Sequence, residues 1–293
     1  MKNSRRGVEI VVLALVFAAA CGRAPQPPAP QPLSIVITND DGIEAPGILA
    51  LAEALRPLGR VTVAAPSGNR SGVSHGVTSG RAIAVRESDR GGQKWFAIDA
   101  LPATCVRLAL EELLPDKPDL VLSGINKGEN LGTVTFYSAT VAAAREAAFL
   151  GIPAMAVNLA SADDSGYETA AAVTAKIVLA LGRSGIARGT FLNVNVPGLP
   201  PERLRGIRIT RQDTRAPVDF FEKRVGPDGS MEYRPRWEHL PPGAEGTDIW
   251  AVRSGYVSVS IFGFDQSAAV PPAVYAGLKR LESIPLINSV THN

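Results

Sequence analysis

The sequence predicts an α/β fold: a Rossmann-like, mostly parallel sheet covered by helices on both faces. Three observations carry that expectation. From Leu33 onward, short β-branched runs alternate with longer segments whose apolar residues recur at helical spacing. The strand-like runs are near-continuously apolar, as strands buried on both faces are. Oxygen-rich loops follow three of those runs, and ligands in such sheets bind where the strands end.

Each element can be justified in chain order. "LSIVIT" (33–38) is a short β-branched strand. Ile48, Leu51, Ala52, Leu55 and Leu58 lie at helical spacing, which predicts a helix over 46–58. "RVTVAAP" is the next strand, followed by the loop "SGNRSG". Residues 81–98 read as a hairpin about Gly91-Gly92, and "PATCVRLALEELL" as a helix with Pro102 in its first turn. "PDLVLSG" is a buried strand leading into a long Gly/Asn loop. "YSATVAAAREAAFLG" is a helix opened by Ser138 and Thr140 and closed by Gly151. Then come the strand "IPAMAVNLA", the helix "SGYETAAAVTAKIVLALG" and the strand "FLNVNVP". Residues 213–254, rich in Pro, Gly and charge, predict an appended β-hairpin or extended arm. "YVSVSIFGF" alternates cleanly as a late strand, and "PPAVYAGLKRLES" is a final amphipathic helix.

Ahead of this body, residues 1–21 have a basic start (Lys2, Arg5, Arg6), an apolar run from Ile10 to Ala20 and small residues before Cys21. That is the layout of a signal peptide. Ala18-Ala19-Ala20-Cys21 resembles a lipobox, which makes Cys21 the candidate lipidation site and the cell envelope, facing the periplasm, the expected location. Plain secretion, or a cytoplasmic protein with a start site downstream, are the alternatives. Residues 22–32 hold five prolines in eleven positions, an extended tether, so the folded body is expected over 33–293.

Composition excludes several classes. A formal net charge of +2, with no basic stripe, argues against a nucleic-acid polymer as partner. The three histidines are far apart and no H-E-x-x-H occurs, which removes a zincin site. Two cysteines make no disulfide framework. P-loop, dinucleotide and G-x-S-x-G signatures are also missing.

What remains is a constellation at three strand ends: Asp40 and Asp41, then Asn69 and Ser71, then Asn126 and Asn130. In a parallel sheet those loops share one edge. Two carboxylates with neutral oxygens from Ser and Asn suit one hard divalent cation per subunit, Mg²⁺ or Mn²⁺. Taken singly, each piece has a plainer reading: Asp-Gly is a turn, "SGNRSG" a polar loop, Ser138 and Thr140 helix caps, Arg145 and Glu146 a solvated face. Repetition at three strand ends favours a site. A helix amino terminus also holds phosphate, which adds Ser138 and Thr140, with Asn69, as candidate phosphate contacts.

At these residues the chain resembles the SurE family of survival proteins, metal-dependent 5′/3′-nucleotidases. The matching pieces are "TNDDGIEAPGI" (38–48), "NRSG" (69–72), "SGINKGENLG" (123–132) and "YSATVAAAREA" (137–147), with looser matches at 192–197 and 246–260. The resemblance implies a metal held by Asp40, Asp41, Ser71 and Asn126; of the two candidate catalytic carboxylates, Asp40 and Asp41, Asp40 is the one expected to transfer a proton or to attack. It also implies hydrolysis of nucleoside monophosphates, some activity on short polyphosphate, a three-layer α/β domain, and a homodimer or tetramer formed by exchange of carboxyl-terminal arms. Two departures stand out. Ala139 replaces the glycine of Y-S-G-T-V, and Ala100, Leu101 and Thr104 replace the Gly, Thr and Asp of G-T-P-x-D-C-V. They motivate a competing expectation: an envelope-anchored nucleotide- or phosphate-binding protein with little turnover.

Overall fold

The computed structural model describes residues 32–264, except 162, 183, 184 and 217, together with 272–279. Cys21 and the proline-rich tether lie outside the described residues.

Nine strands form one sheet in the order β3-β4-β2-β1-β5-β6-β7-β11-β8. They are β1 (Leu33–Thr38), β2 (Gly59–Pro66), β3 (Val85–Arg90), β4 (Gln93–Ile98), β5 (Leu120–Lys127), β6 (Ala154–Ala160), β7 (Thr190–Pro197), β8 (Ile207–Thr210) and β11 (Val257–Gly263). From β4 to β7 all pairings are parallel, while β3 and β11 join antiparallel at either side. Alternate side chains of the central strands feed two cores. Ile35 and Ile37 pack on one face, with α1 (Pro46–Leu55) and α4 (Tyr167–Leu181). Val36, between them, packs on the other, with α2 (Pro102–Leu108) and α3 (Ala139–Phe149). The result is three layers, helices on both faces of the sheet.

From β1 the chain crosses to β2 on one side and later returns to β5 on the other. The crevice at this reversal, outside the carboxyl ends of β1 and β5, is where a doubly wound sheet places its ligand. The asparagine, aspartate and serine loops all open there.

Several expectations needed revision. The helix expected over 102–114 ends as α2 at Leu108 and continues as one π-helical turn, Ala109–Leu113. The first strand of the 81–98 hairpin begins only at Val85; Arg81 turns away to pair with Asp99 at 3.0 Å. β8 was unforeseen because it is a four-residue edge strand whose Ile207 and Ile209 are exposed, giving no burial signature. Within the expected arm region lie an antiparallel hairpin, β9 (Val218–Val225) with β10 (Met231–Glu238), and a helix, α5 (Asp248–Arg253). The helix is capped by Thr247, whose hydroxyl accepts from the Trp250 amide. The final helix is described as α6 (Pro272–Leu278); the rest of the expected segment lies outside the described residues.

Candidate metal centre

β1 delivers Asp40 and Asp41 through a turn that Asn39 shapes: its side-chain amide donates to the Gly42 carbonyl at 2.8 Å, and its oxygen accepts from the Gly42 amide at 3.2 Å. Gly42 has φ +106°, and a β-carbon there would meet the Gly68 carbonyl carbon at 3.0 Å. Only glycine lets this turn lie against the loop after β2. That loop is tied back by the Arg70 amide, which donates to the Asp40 carbonyl at 2.7 Å. Asn69 accepts from the Ser71 amide at 3.0 Å, holding the serine at the loop's tip. On the other side, the Lys127 amide donates to Asp41 Oδ2 at 3.2 Å, joining positions 86 apart. Gly47, in the first turn of α1, faces the Ile125 carbonyl so closely that a β-carbon would come within 2.0 Å of it.

Asp40 is buried at 3% exposure, and the side-chain partner of its carboxylate is the Thr140 hydroxyl, 2.5 Å from Oδ1. No Lys, Arg or His among the described residues forms an ion pair with it. Burial, above all, pushes its pKa up to about 6; the Thr140 hydrogen bond opposes this and the neighbouring Asp41 charge adds to it. Asp41 is raised as well, chiefly by burial, against the Lys127 amide and charge. Asn126 turns its Nδ2 away, donating to the Lys127 and Gly128 carbonyls at 3.1 and 3.0 Å. Its Oδ1 makes no hydrogen bond to the described residues and is left as a donor atom.

This arrangement fits a hard divalent cation. Two carboxylates raised by burial form no ion pair among the described residues, and the neighbouring donors are neutral oxygens. Among the described residues no cluster of three or more His, Cys, Asp or Glu exists that would suit a softer metal. Asp40, Ser71 and Asn126 line one pocket of about 370 Å³, together with Ser138 and the apolar wall of Leu131, Val134, Tyr137, Leu240 and Ile249. Such a volume is within the ~300–1,000 Å³ of small-molecule sites.

The candidate phosphate residues divide. Ser138 is the amino-terminal cap of α3: its hydroxyl oxygen accepts from the Val141 amide at 3.1 Å, and the residue lines the pocket. Thr140 differs from the expectation, because its hydroxyl proton is committed to Asp40 and the residue is fully buried; it orients the carboxylate. Asn69 is exposed, with its side-chain oxygen engaged by Ser71. Asn130 spends its Nδ2 on Asn158.

Other residues escaped sequence reasoning. Asn158, Asn193 and Asn195 are fully buried and lock the loop after β5. Asn158 donates to Asn193 at 2.8 Å, and Asn193 and Asn195 donate to the Asn130 carbonyl at 2.8 and 3.1 Å. Asn193 and Asn195 stand two apart in an apolar strand, and that pairing on one strand face was the available signal. Glu129 is gripped by Arg253 at 2.5 and 2.6 Å and by His239 at 3.0 Å, closing the pocket wall. Asp248 receives the amides of Gly132, Asp213 and Ile249 at 2.8–2.9 Å. Nothing local in sequence joins these.

The solvated face expected of Arg145 and Glu146 is absent. Glu146 is buried and binds His75 at 2.8 Å and Arg107, and Arg145 is half-buried over the Phe191 ring. Ala139 does not take the left-handed backbone a replaced glycine could have required, since Ser74 is the one non-glycine residue described with positive φ. Thr104 lies away from the pocket, accepting from the Thr78 amide at 2.8 Å.

The profile described as "Survival protein SurE" matches residues 35–219. The 5′-nucleotidase SurE of Geobacter sulfurreducens is 44% identical over 256 residues, 86% of this chain and 93% of that protein. That of Legionella pneumophila (strain Lens) is 40% identical over 240 residues, 80% and 92%. The crystal structure of SurE protein from Aquifex aeolicus superposes with a TM-score of 0.75 at 41% identity, covering 85% of this chain and 99% of that one. The chain belongs to the SurE family.

Proposed function

We infer that this chain is a 5′-nucleotidase, a phosphatase that converts nucleoside 5′-monophosphates to nucleoside and phosphate. The observation that carries this reading is the pair Asp40–Asp41 at the sheet's switch point. Both are raised by burial and neither forms an ion pair among the described residues; Asp40 shares its pocket with Ser71, Asn126 and Ser138 at the amino terminus of α3. The curated relatives named above bear the same activity in their names.

Asp40, Asp41, Ser71 and Asn126 would hold the cation, Mg²⁺ or Mn²⁺, one per subunit. When bound, it supplies Lewis acidity toward a phosphoryl oxygen and lowers the pKa of water. The chain's own groups do the rest. The α3 amino terminus and the Ser138 hydroxyl receive the phosphate's negative charge. Asn69 offers its side-chain NH₂ from the loop rim. Thr140 fixes Asp40 in place for one of two routes. As a base, Asp40 takes a proton from water while the water oxygen bonds to phosphorus and the ester phosphorus–oxygen bond breaks; the nucleoside oxygen takes a proton from solvent, and Asp40 returns its own to solvent. As a nucleophile, its carboxylate oxygen bonds to phosphorus as the ester bond breaks, the nucleoside oxygen takes a proton from solvent, and water then cleaves the acyl phosphate to phosphate and free Asp40. The apolar wall from Leu131 to Ile249 receives the nucleoside. Nucleoside 3′-monophosphates and short polyphosphate are further substrates in this reading.

Exposed Phe221, Val225, Met231 and Tyr233 on the β9–β10 hairpin favour a homodimer or tetramer, checked by light scattering. No helix among the described residues is long and apolar enough to cross a membrane. A lipid on Cys21 would link the chain to a membrane and place it in the cell envelope; mass spectrometry of the amino-terminal peptide reads that lipid directly.

The functional test uses the full chain. Metal is stripped with chelator, and phosphate release from 5′- and 3′-nucleotides is followed as Mg²⁺ or Mn²⁺ is restored. Metal-dependent release is expected. A folded protein that releases none with either ion, yet binds nucleotide tightly, would replace the enzyme with the binding protein.

A further inference from the structure

Ser71 stands on the loop between β2 and β3, a segment with no secondary structure of its own. An exposed loop tip positions a donor atom only as well as its anchors do. Four residues beyond Ser71, His75 Nε2 bonds Glu146 Oε2 at 2.8 Å. Glu146 is 4% exposed at its side chain and sits on α3, and Arg107 from α2 holds its other oxygen. The His75 ring stacks on Phe149, one helical turn along α3, at 5.4 Å and 11°. Between Ser71 and His75, Ser74 is held at φ +52° by two bonds to the residues leading into α3. Its hydroxyl donates to the Phe136 carbonyl at 2.6 Å and its amide to the Tyr137 carbonyl at 3.1 Å. A non-glycine residue stays in that conformation only where the surroundings over-determine it.

α3 is also the helix whose first turn carries Thr140, the partner of Asp40. The same helix therefore fixes the carboxylate at one end and the serine loop along its length. Just before Ser71 the Arg70 amide holds the Asp40 carbonyl at 2.7 Å, but the loop's other side-chain ion pairs, Arg70 and Arg81 to Asp99, are exposed pairs of the kind that contribute little. We propose that His75 and Glu146 are positioning residues. By clamping the serine loop to α3 they set Ser71 at ligand distance from the Asp40 and Asn126 oxygens. This inference rests on the functional reading given above.

The test compares full-length wild type with His75→Ala, His75→Gln and Glu146→Gln in three readouts: Mn²⁺ affinity by calorimetry on metal-stripped protein, kcat and KM for a nucleoside 5′-monophosphate, and hydrogen exchange of the Arg70 and Ser74 amides. His75→Ala is expected to weaken Mn²⁺ binding at least tenfold, to speed exchange at both amides, and to lower kcat at little changed KM. His75→Gln, which can still donate to Glu146, recovers most of each. Glu146→Gln keeps an acceptor for His75 but loses its charge, so it falls between. A merely structural role would lower thermal stability and leave the Mn²⁺ affinity of the folded variant at the wild-type value. That result, or unchanged exchange at both amides, overturns the proposal. If wild type itself releases no phosphate, the functional reading fails, and the exchange data still decide whether His75 holds the loop.

Discussion

Asp40 and Glu146 are both carboxylates at 3% exposure, and α3 touches both, yet their surroundings are opposite. Glu146 has His75 and Arg107 on its two oxygens; burial works to raise its pKa, but these hydrogen bonds and charges outweigh it and hold the group low. Asp40 has one hydroxyl, and burial pushes it up to about 6. A chain that satisfies one buried carboxylate fully and leaves another beside a second carboxylate has separated a structural role from a ligand's role. The uncompensated one faces the pocket.

The sharpest way to break this comparison is Asp40→Asn. Phosphate release should fall by about 10²–10⁴-fold, the range for losing a group that handles the proton. The metal-free protein should nevertheless become more stable at pH 8. A folded pKa raised above the unfolded value means stability is full below about pH 4 and falls as pH rises to 6. Over that range the ionised carboxylate costs about 3 kcal/mol. Urea titrations at pH 5 and pH 8 should therefore differ for metal-free wild type by more than for the variant. Equal pH dependence would mean that Asp40 is not the strained group.

Next in size is Asn158→Leu, which strands the Asn130 and Asn193 amide groups in the core and should cost about 3 kcal/mol by chemical denaturation. A smaller and opposite pH effect belongs to Glu146. Its depressed pKa contributes stability present above the unfolded value of 4.5 and lost as pH falls through the lower folded one, so Glu146→Gln should flatten the acid limb of a stability profile. The smallest effect is Lys94→Ala. It removes an exposed pair with Glu87 and should change stability by less than about 0.5 kcal/mol, leaving turnover at the wild-type rate.

The contrast also marks what a sequence can reveal. Asp40, Asp41, Ser71 and Asn126 were legible because each sits just past or at the end of an apolar strand, and a parallel sheet brings such ends to one edge. The layers were legible from the same alternation of strand and helix. Glu146 was not, because Arg-Glu within an alanine-rich helix looks like solvent-facing charge. Its burial depends on His75 and Arg107, 71 and 39 positions away, and no local pattern predicts that meeting. β8 hid for the converse reason: an exposed edge strand buries too little to print a periodicity.

The central claim is that the Asp40–Asp41 corner awaits a cation. Calorimetric titration of metal-stripped full-length protein with Mn²⁺ and Mg²⁺, beside Asp40→Asn, tests it most directly. One ion per chain is expected for wild type and no measurable binding by the variant. No binding by wild type, or equal binding by both, would contradict it.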